Sequence, residues 1–162
     1  NPYAATKAGA EMILHSYGKS FEQKYIIIRG NNVYGPNQYK EKLIPKFIDL
    51  LKRGKKCTIH GEGKTSRSFV HSQDFCSAIE LIWVKGESGQ IYNIGSEEEF
   101  TVMEITRKLI ELIKKDKDVD KYIEFVEDRN FNDDRYLISC QKLLNLGWKQ
   151  KIKMDQGLKT LI

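Results

Sequence analysis

Short β-branched runs alternate with amphipathic stretches along nearly the whole chain, and this alternation limits the fold more than any other feature. Tyr25 to Ile28, Lys56 to His60, Gln90 to Ile94, Ile123 to Val126 and Tyr136 to Ile138 each have the length and apolar content of a short strand. Between them, Ile44, Phe47, Ile48 and Leu51 recur at helical spacing from Leu43 to Leu51, and Gly54 closes that helix. Ser72-Gln73-Asp74 precedes the apolar run of Ala78, Ile79, Leu81 and Ile82 as a helix start, and the Gly86 to Gly89 stretch ends it. Thr101 with Glu104 forms a capping box ahead of Ile105, Leu109, Leu112 and Ile113. A first helix over residues 3–18 carries Ala5, Ala8, Met12, Ile13 and Leu14, bounded by Pro2 and Gly18. Gly30 to Pro36 is expected to be a turn-rich loop, Gly61 to Gly63 a turn, and Lys114 to Lys121 a solvated helix end or a loop. Short helices are expected over Gln141 to Leu146 and Asp155 to Ile162. Strands separated by helices predict an α/β protein with parallel pairing.

With 162 residues, 40% of them hydrophobic, the chain can build a core without disulfides or metal. Its 3 Cys are odd in number and widely spaced, which favours reduced thiols and a cytoplasmic setting. No apolar run approaches the roughly 20 residues of a membrane span, so no membrane partner is expected. The opening Asn1-Pro2-Tyr3 has neither an initiator Met nor the features of a targeting peptide, and the natural start is expected upstream. Charge is uneven: residues 1–81 hold 13 Lys and Arg against 7 acids, residues 82–162 hold 14 against 15. A basic first half points to an anionic partner such as a phosphate ester, a nucleotide or a nucleic acid.

Tyr3 and Lys7 stand four apart on one face of the first helix. An ammonium one turn from a phenol favours the phenolate, so the pair has the makings of a base that takes a proton from a sugar hydroxyl. The same spacing is common among surface residues, so it gains weight only from its surroundings. Other constellations fall short. Gly63-Lys64-Thr65 ends like a P-loop, but the required first glycine would fall at Thr58. Cys57, His60, His71 and Cys76 could suggest zinc, yet Cys57 and His60 are three apart on a predicted strand and point to opposite faces. The basic charge is dispersed and no nucleic-acid-binding motif is present, so no nucleic-acid partner is expected.

Asn1-Pro2-Tyr3-Ala4-Ala5-Thr6-Lys7-Ala8, Arg29-Gly30-Asn31-Asn32-Val33-Tyr34-Gly35-Pro36, Gly61-Glu62-Gly63, Phe69-Val70-His71 with Asp74, and Tyr92-Asn93-Ile94-Gly95 occur in this order. Together they resemble the extended short-chain dehydrogenase/reductase family over nearly the whole chain. Glu41-Lys42-Leu43-Ile44-Pro45, Arg67 and the Asp128-Arg129 to Arg135-Tyr136 segment are most similar to its nucleoside-diphosphate-glucose (dTDP-glucose type) 4,6-dehydratases.

That resemblance implies the C-terminal part of a doubly wound, Rossmann-like parallel sheet with a smaller α/β substrate-binding region. Residues 1–35 would end the NAD-binding core, and 36–162 would mainly bind a nucleotide-sugar, with segments returning to the core. Tyr3 would be the catalytic base and Lys7 its partner on the ribose of the NAD cofactor. The Arg29 to Val33 loop would lie against the nicotinamide, with Arg29, Asn32 and Val33 as cofactor contacts. Asn32, Lys42, Leu43, Thr58, His60, Arg67, Asn93, Arg129 and Asn132 would bind substrate, the two arginines neutralising its diphosphate. The reaction implied is C4 oxidation of a dTDP- or UDP-glucose, loss of water across C5 and C6, and reduction at C6, giving a 4-keto-6-deoxy sugar on the way to rhamnose-type sugars. A homodimer through the helix bearing Tyr3 is also implied. A glycine-rich pyrophosphate turn, the eliminating Asp-Glu pair and the Ser or Thr assisting Tyr3 are absent from these residues and would lie upstream, so the fragment alone would be inactive. The family commonly has Tyr where His60 stands and His where Asn132 stands. A related nucleotide-sugar 4-epimerase or decarboxylase, or a non-catalytic nucleotide- or RNA-binding module, remain as alternatives.

Overall fold

The computed structural model describes residues 1–116, 118–128 and 135–162. Helix α1 (Pro2–Phe21) starts where Asn1 Oδ1 accepts the Ala4 amide at 2.8 Å, with Pro2 in the first turn, where it costs no hydrogen bond. Strand β1 (Ile27–Gly30) is followed after Asn31 by β2 (Asn32–Tyr34), then α2 (Leu43–Lys52) and β3 (Cys57–His60). Next come β4 (Ser66–His71), α3 (Ser72–Lys85), β5 (Ile91–Ile94), β6 (Glu99–Thr101) and α4 (Val102–Lys114). A 3-10 turn (Val119–Tyr122) leads into β7 (Ile123–Val126), and β8 (Arg135–Tyr136), α5 (Gln141–Asn145) and α6 (Met154–Lys159) complete the order.

Among the described residues the strands fall into three small sheets. β1 pairs parallel with β5 in the register Ile27 to Ile91, and β3 pairs parallel with β7 in the register Cys57 to Ile123. β4 is the hub of the third, parallel to β2 and β8 and antiparallel to β6. The architecture is the α/β layering that the alternating pattern predicts, carried by parallel pairs with helices between them.

Two apolar clusters hold these layers. In one, Phe47 and Leu51 of α2 meet Ile59 of β3 and Ile105, Leu109 and Ile110 of α4, with Leu158 of α6 closing the end. In the other, Ala78 and Ile82 of α3 face Tyr92 and Ile94 of β5, with Leu143 of α5 and Trp148 beneath. Each such fully buried side chain contributes on the order of 1.5–3 kcal/mol. The Thr101–Glu104 box is formed in both directions, the Glu104 amide donating to Thr101 Oγ1 at 3.1 Å and the Thr101 amide to Glu104 Oε2 at 2.7 Å.

Several local expectations shift. Gly30 to Pro36 is not all loop: Asn32–Tyr34 is a strand, because β4 supplies partners for a segment whose own residues favour turns. Ser66–His71 is a strand that the periodicity missed, and His71, not Ser72, caps α3, its Nδ1 accepting the Gln73 amide at 3.3 Å. The strand expected at Tyr136 to Ile138 pairs instead at Arg135–Tyr136. The last helix ends at Lys159. Helix α1 buries none of its residues among those described, and Met12, Ile13, Tyr17 and Phe21 all stand exposed.

Candidate functional site

β1 leads through Asn31 into β2, which pairs with β4, and the turn after β5 bonds to Ser68 in the middle of β4, so polar side chains gather at this crossing. Ligand sites in open α/β sheets lie at such strand ends. The Asn31 amide donates to the Ile94 carbonyl at 2.8 Å, so the chain leaves β1 still pinned to β5. Asn31 is buried, and its Oδ1 accepts from the Asn32 amide at 3.0 Å and from Asn32 Nδ2 at 2.9 Å. Asn32 Nδ2 also donates to the Ser68 carbonyl at 3.1 Å. Asn32 is thereby fixed in orientation while remaining exposed.

Behind it, Ser68 Oγ donates to the Ser96 carbonyl at 2.7 Å and accepts the Ser96 amide at 2.9 Å, which ties β4 to the turn after β5. Ser96 Oγ in turn meets Gln150 Oε1 at 2.8 Å. Arg67, one residue earlier on β4, is half-buried, in register with Phe100 of β6 and Tyr136 of β8, and its Nη1 donates to the Ser66 carbonyl at 2.9 Å. Asn93 is the register partner of Arg29, and its Nδ2 donates to the Ser139 carbonyl at 2.9 Å. A cavity of about 320 Å³ opens between Arg29, Ile91, Asn93, Ser139, Gln141 and Lys142.

Tyr3 and Lys7 are both exposed on α1, and Glu11 continues their stripe one turn further on. Arg29 reaches across from β1 to Glu11, its Nε donating to Oε1 at 2.8 Å and its Nη2 to Oε2. That guanidinium holds the Glu11 carboxyl below its ordinary value. The Tyr–Lys stripe is thus fastened beside the strand that leads into the Asn31–Asn32 crossing. Tyr34, the other tyrosine of these motifs, is unsuited to base chemistry: only 2% of it is exposed, and burial raises its phenol further.

Of the remaining sequence candidates, Val33 adjoins Asn32 at this crossing and the other described ones lie on other elements. Lys42 is the exposed residue preceding α2, and Leu43 is its half-buried first residue. Thr58 and His60 lie on the separate β3–β7 pair, where His60 Nδ1 faces the Glu127 carbonyl at 3.1 Å. Val33 pairs with Val70 in the β2–β4 register. Arg129 and Asn132 lie outside the described residues. A larger cavity of about 390 Å³, between Gly35 to Lys40, α2 and Leu161, is lined by none of the candidate residues.

Three features were missed in the sequence: Asn31 as the buried bracket, the Ser68–Ser96 tie, and the Glu11–Arg29 clamp. A doubled Asn after a strand was the one visible signal, since side-chain amides there can replace a backbone turn. Neither Asp74 nor His71 faces outward. Asp74 is buried and accepts the Lys151 amide with both oxygens at 3.2 Å and the Ile152 amide at 2.8 Å, which anchors the C-terminal segment. Burial lowers the affinity of His71 for a proton. For the zinc alternative, Cys57 is fully buried with its thiol pushed up to about 11 by desolvation, whereas His60 is exposed. Among the described residues no group of three or more His, Cys, Asp or Glu side chains is placed to hold a metal ion. Among the described residues no helix is long and apolar enough to cross a membrane.

Parallel strand pairs with helices between them and a polar crossing at the strand ends make this a Rossmann-like α/β fold, and comparison with known proteins narrows it. The family model described as GDP-mannose 4,6 dehydratase matches residues 1–161, and the chain belongs to that family. It is 48% identical over 98% of its length to a trifunctional UDP-glucose 4,6-dehydratase/UDP-4-keto-6-deoxy-D-glucose 3,5-epimerase/UDP-4-keto-L-rhamnose-reductase of Arabidopsis thaliana, covering 24% of that protein. It is 42% identical over its full length to a dTDP-D-glucose 4,6-dehydratase of Mus musculus, covering 46% of it. The crystal structure of a dTDP-glucose 4,6-dehydratase from Bacillus anthracis in complex with NAD superposes with a TM-score of 0.89 at 40% identity, over 98% of this chain and 50% of that one. The chain therefore spans half or less of the length of these relatives.

Proposed function

We propose that this chain is the C-terminal half of an NAD-dependent nucleoside-diphosphate-glucose 4,6-dehydratase acting on UDP- or dTDP-glucose. The observation that carries the reading is the exposed Tyr3–Lys7 stripe fastened by Glu11 and Arg29 beside the Asn31–Asn32 crossing, in a chain over 40% identical to proteins named for that reaction. Residues 1–35 then end the cofactor-binding core. The cluster joining α3, β5 and α5 supports the reading that later segments return to that core, while the rest of 36–162 binds the nucleotide-sugar.

The residues present fit one end of the cofactor. A phenol, an ammonium and an oriented amide suit a ribose and a nicotinamide, whereas no glycine-rich turn for the pyrophosphate occurs in these 162 residues. Tyr3, Lys7 and Asn32 would hold the ribose and nicotinamide end of NAD, which would supply a hydride acceptor and donor for the sugar carbons there. Tyr3 takes the proton of the C4 hydroxyl, with Lys7 one turn away as its partner. Asn32, Lys42, Arg67 and Asn93 bind and orient the diphosphate and nucleotide, with Arg129 and Asn132 completing the set. Lys42 and Arg67 give the positive charge of the first half its purpose.

The exposed apolar side chains of α1 support a homodimer formed through that helix. The free state of Cys57, Cys76 and Cys140 supports a cytoplasmic setting. Incubation of the full-length protein with UDP-glucose or dTDP-glucose should yield a 4-ketosugar, and Tyr3→Phe should abolish it. Full activity in that variant, or a C4 epimer as the product, would overturn the assignment.

A further inference from the structure

On α1, positions 3, 7 and 11 stack one turn apart, so the Lys7 side chain has a phenol on one side and a carboxylate on the other. Lysine is a point charge on a flexible stem and can lean toward either neighbour. The structure resolves that competition from outside the helix. Arg29 places its fork on both oxygens of Glu11, and Arg29 itself is carried by β1, which is held in register by β5. A bidentate guanidinium from a paired strand is a stronger and better-ordered partner for a carboxylate than a helix-surface ammonium. The pair is partly sheltered, the Glu11 side chain being 22% exposed and that of Arg29 53%.

We infer that Arg29 is a positioning residue for the Tyr3–Lys7 pair: by occupying the Glu11 carboxylate it leaves the Lys7 ammonium to the Tyr3 phenol. The inference rests on the reading of Tyr3 as base. The charged and titratable groups facing Glu11 are Lys7 and His15 on its own helix and Arg29 from β1, and their combined effect holds its carboxyl in the ionised form. His15 is itself engaged, its Nδ1 facing the Tyr25 hydroxyl. Among the described residues, Arg29 is thus the strand-borne cation facing this carboxylate. Its loss sets Glu11 against the phenol for the attention of Lys7 and removes a positive charge from the neighbourhood of the developing phenolate.

The test is the pH profile of kcat for the full-length protein with its nucleotide-glucose substrate. In Arg29→Met the alkaline shift of the acidic limb should be about 0.3–1 pH unit, the range of a neighbouring-charge effect near the surface. Glu11→Gln alone should move the limb downward, because the competitor is gone and the strand cation remains. The double variant Arg29→Met/Glu11→Gln should return the limb close to the parent position, which a purely structural role for Arg29 would not do. An unmoved limb in Arg29→Met, or a limb still displaced in the double variant, overturns the inference. Tyr3→Phe serves as the separate arm: a fully active Tyr3→Phe defeats the reading of Tyr3 as base, whereas an inactive one beside an unmoved Arg29→Met limb defeats the role of Arg29 alone.

Discussion

Replacing Asp74 with Ala should be among the most damaging changes outside the candidate site. Its carboxylate is 2% exposed and takes the Lys151 amide at 3.2 Å on each oxygen and the Ile152 amide at 2.8 Å. Removing the side chain strands two backbone donors in partly buried surroundings, at about 1–3 kcal/mol for each unsatisfied group. Asp74 also lies in the first turn of α3, where a negative charge is worth about 0.3–1 kcal/mol against the helix dipole. The sum, discounted for the partial exposure of the segment, is a loss of about 2–4 kcal/mol. Asp74→Asn keeps one oxygen for the short Ile152 bond but loses charge and sets an amide group near the Lys151 donor, so it should cost roughly half as much. Urea denaturation of the full-length protein measures both. With a slope of about 1–3 kcal/mol per molar, the Ala midpoint should fall by ~1–2 M at unchanged slope. Hydrogen exchange should report the Lys151 and Ile152 amides as the first to lose protection. An Ala midpoint within ~0.3 M of the parent, with those amides still protected, would refute the anchoring argument.

Gly157→Ala should destabilise by about 1–3 kcal/mol, since a Cβ there would stand 2.9 Å from Tyr34 Cζ and closer still to its oxygen, in a ring only 2% exposed. A thermal-melt comparison checks it, and no change in Tm would show that α6 moves away freely. Glu104→Ala should cost about 0.5–1 kcal/mol at pH 7 by opening the capping box. Hydrogen bonds from the Thr101 amide and hydroxyl depress the Glu104 carboxyl in the folded protein, so its contribution is complete above the ordinary value of 4.5. It is lost as the pH falls through the depressed folded value, and the difference between parent and variant should close between pH 5 and pH 3. A gap that stays constant over that range would refute the linkage.

How much was legible depended on the range of the forces involved. Helices α2 and α4 were readable because their apolar residues recur within a few positions and their ends carry local signals, Gly54 at φ +70 after one and the Thr101–Glu104 box before the other. Strand β2 was hidden because Asn31, Asn32, Gly35 and Pro36 are turn formers, and only pairing with β4, more than thirty residues away, makes Asn32–Tyr34 extended. Tyr3, Lys7, Asn32 and Arg67 could be nominated from the sequence, but the partners that the structure gives Asn32 and Arg67 could not.

The sequence by itself determined the α/β class, the order of most elements, the absence of any need for disulfides, and the family to which the motifs belong. The class and the elements follow from residue spacing, which acts over one or two turns of chain; the independence from disulfides follows from chain length, and the family from the resemblance of the quoted motifs. Only the tertiary structure decided that Arg29 turns to Glu11, that Asn31 brackets Asn32, that Ser68 joins Ser96, and that Asp74 captures residues 151–152. Each of these pairings except the Asn31–Asn32 bracket joins elements 18 or more residues apart, so it exists only once hydrophobic burial has set helix against strand and left the polar groups to find acceptors within reach.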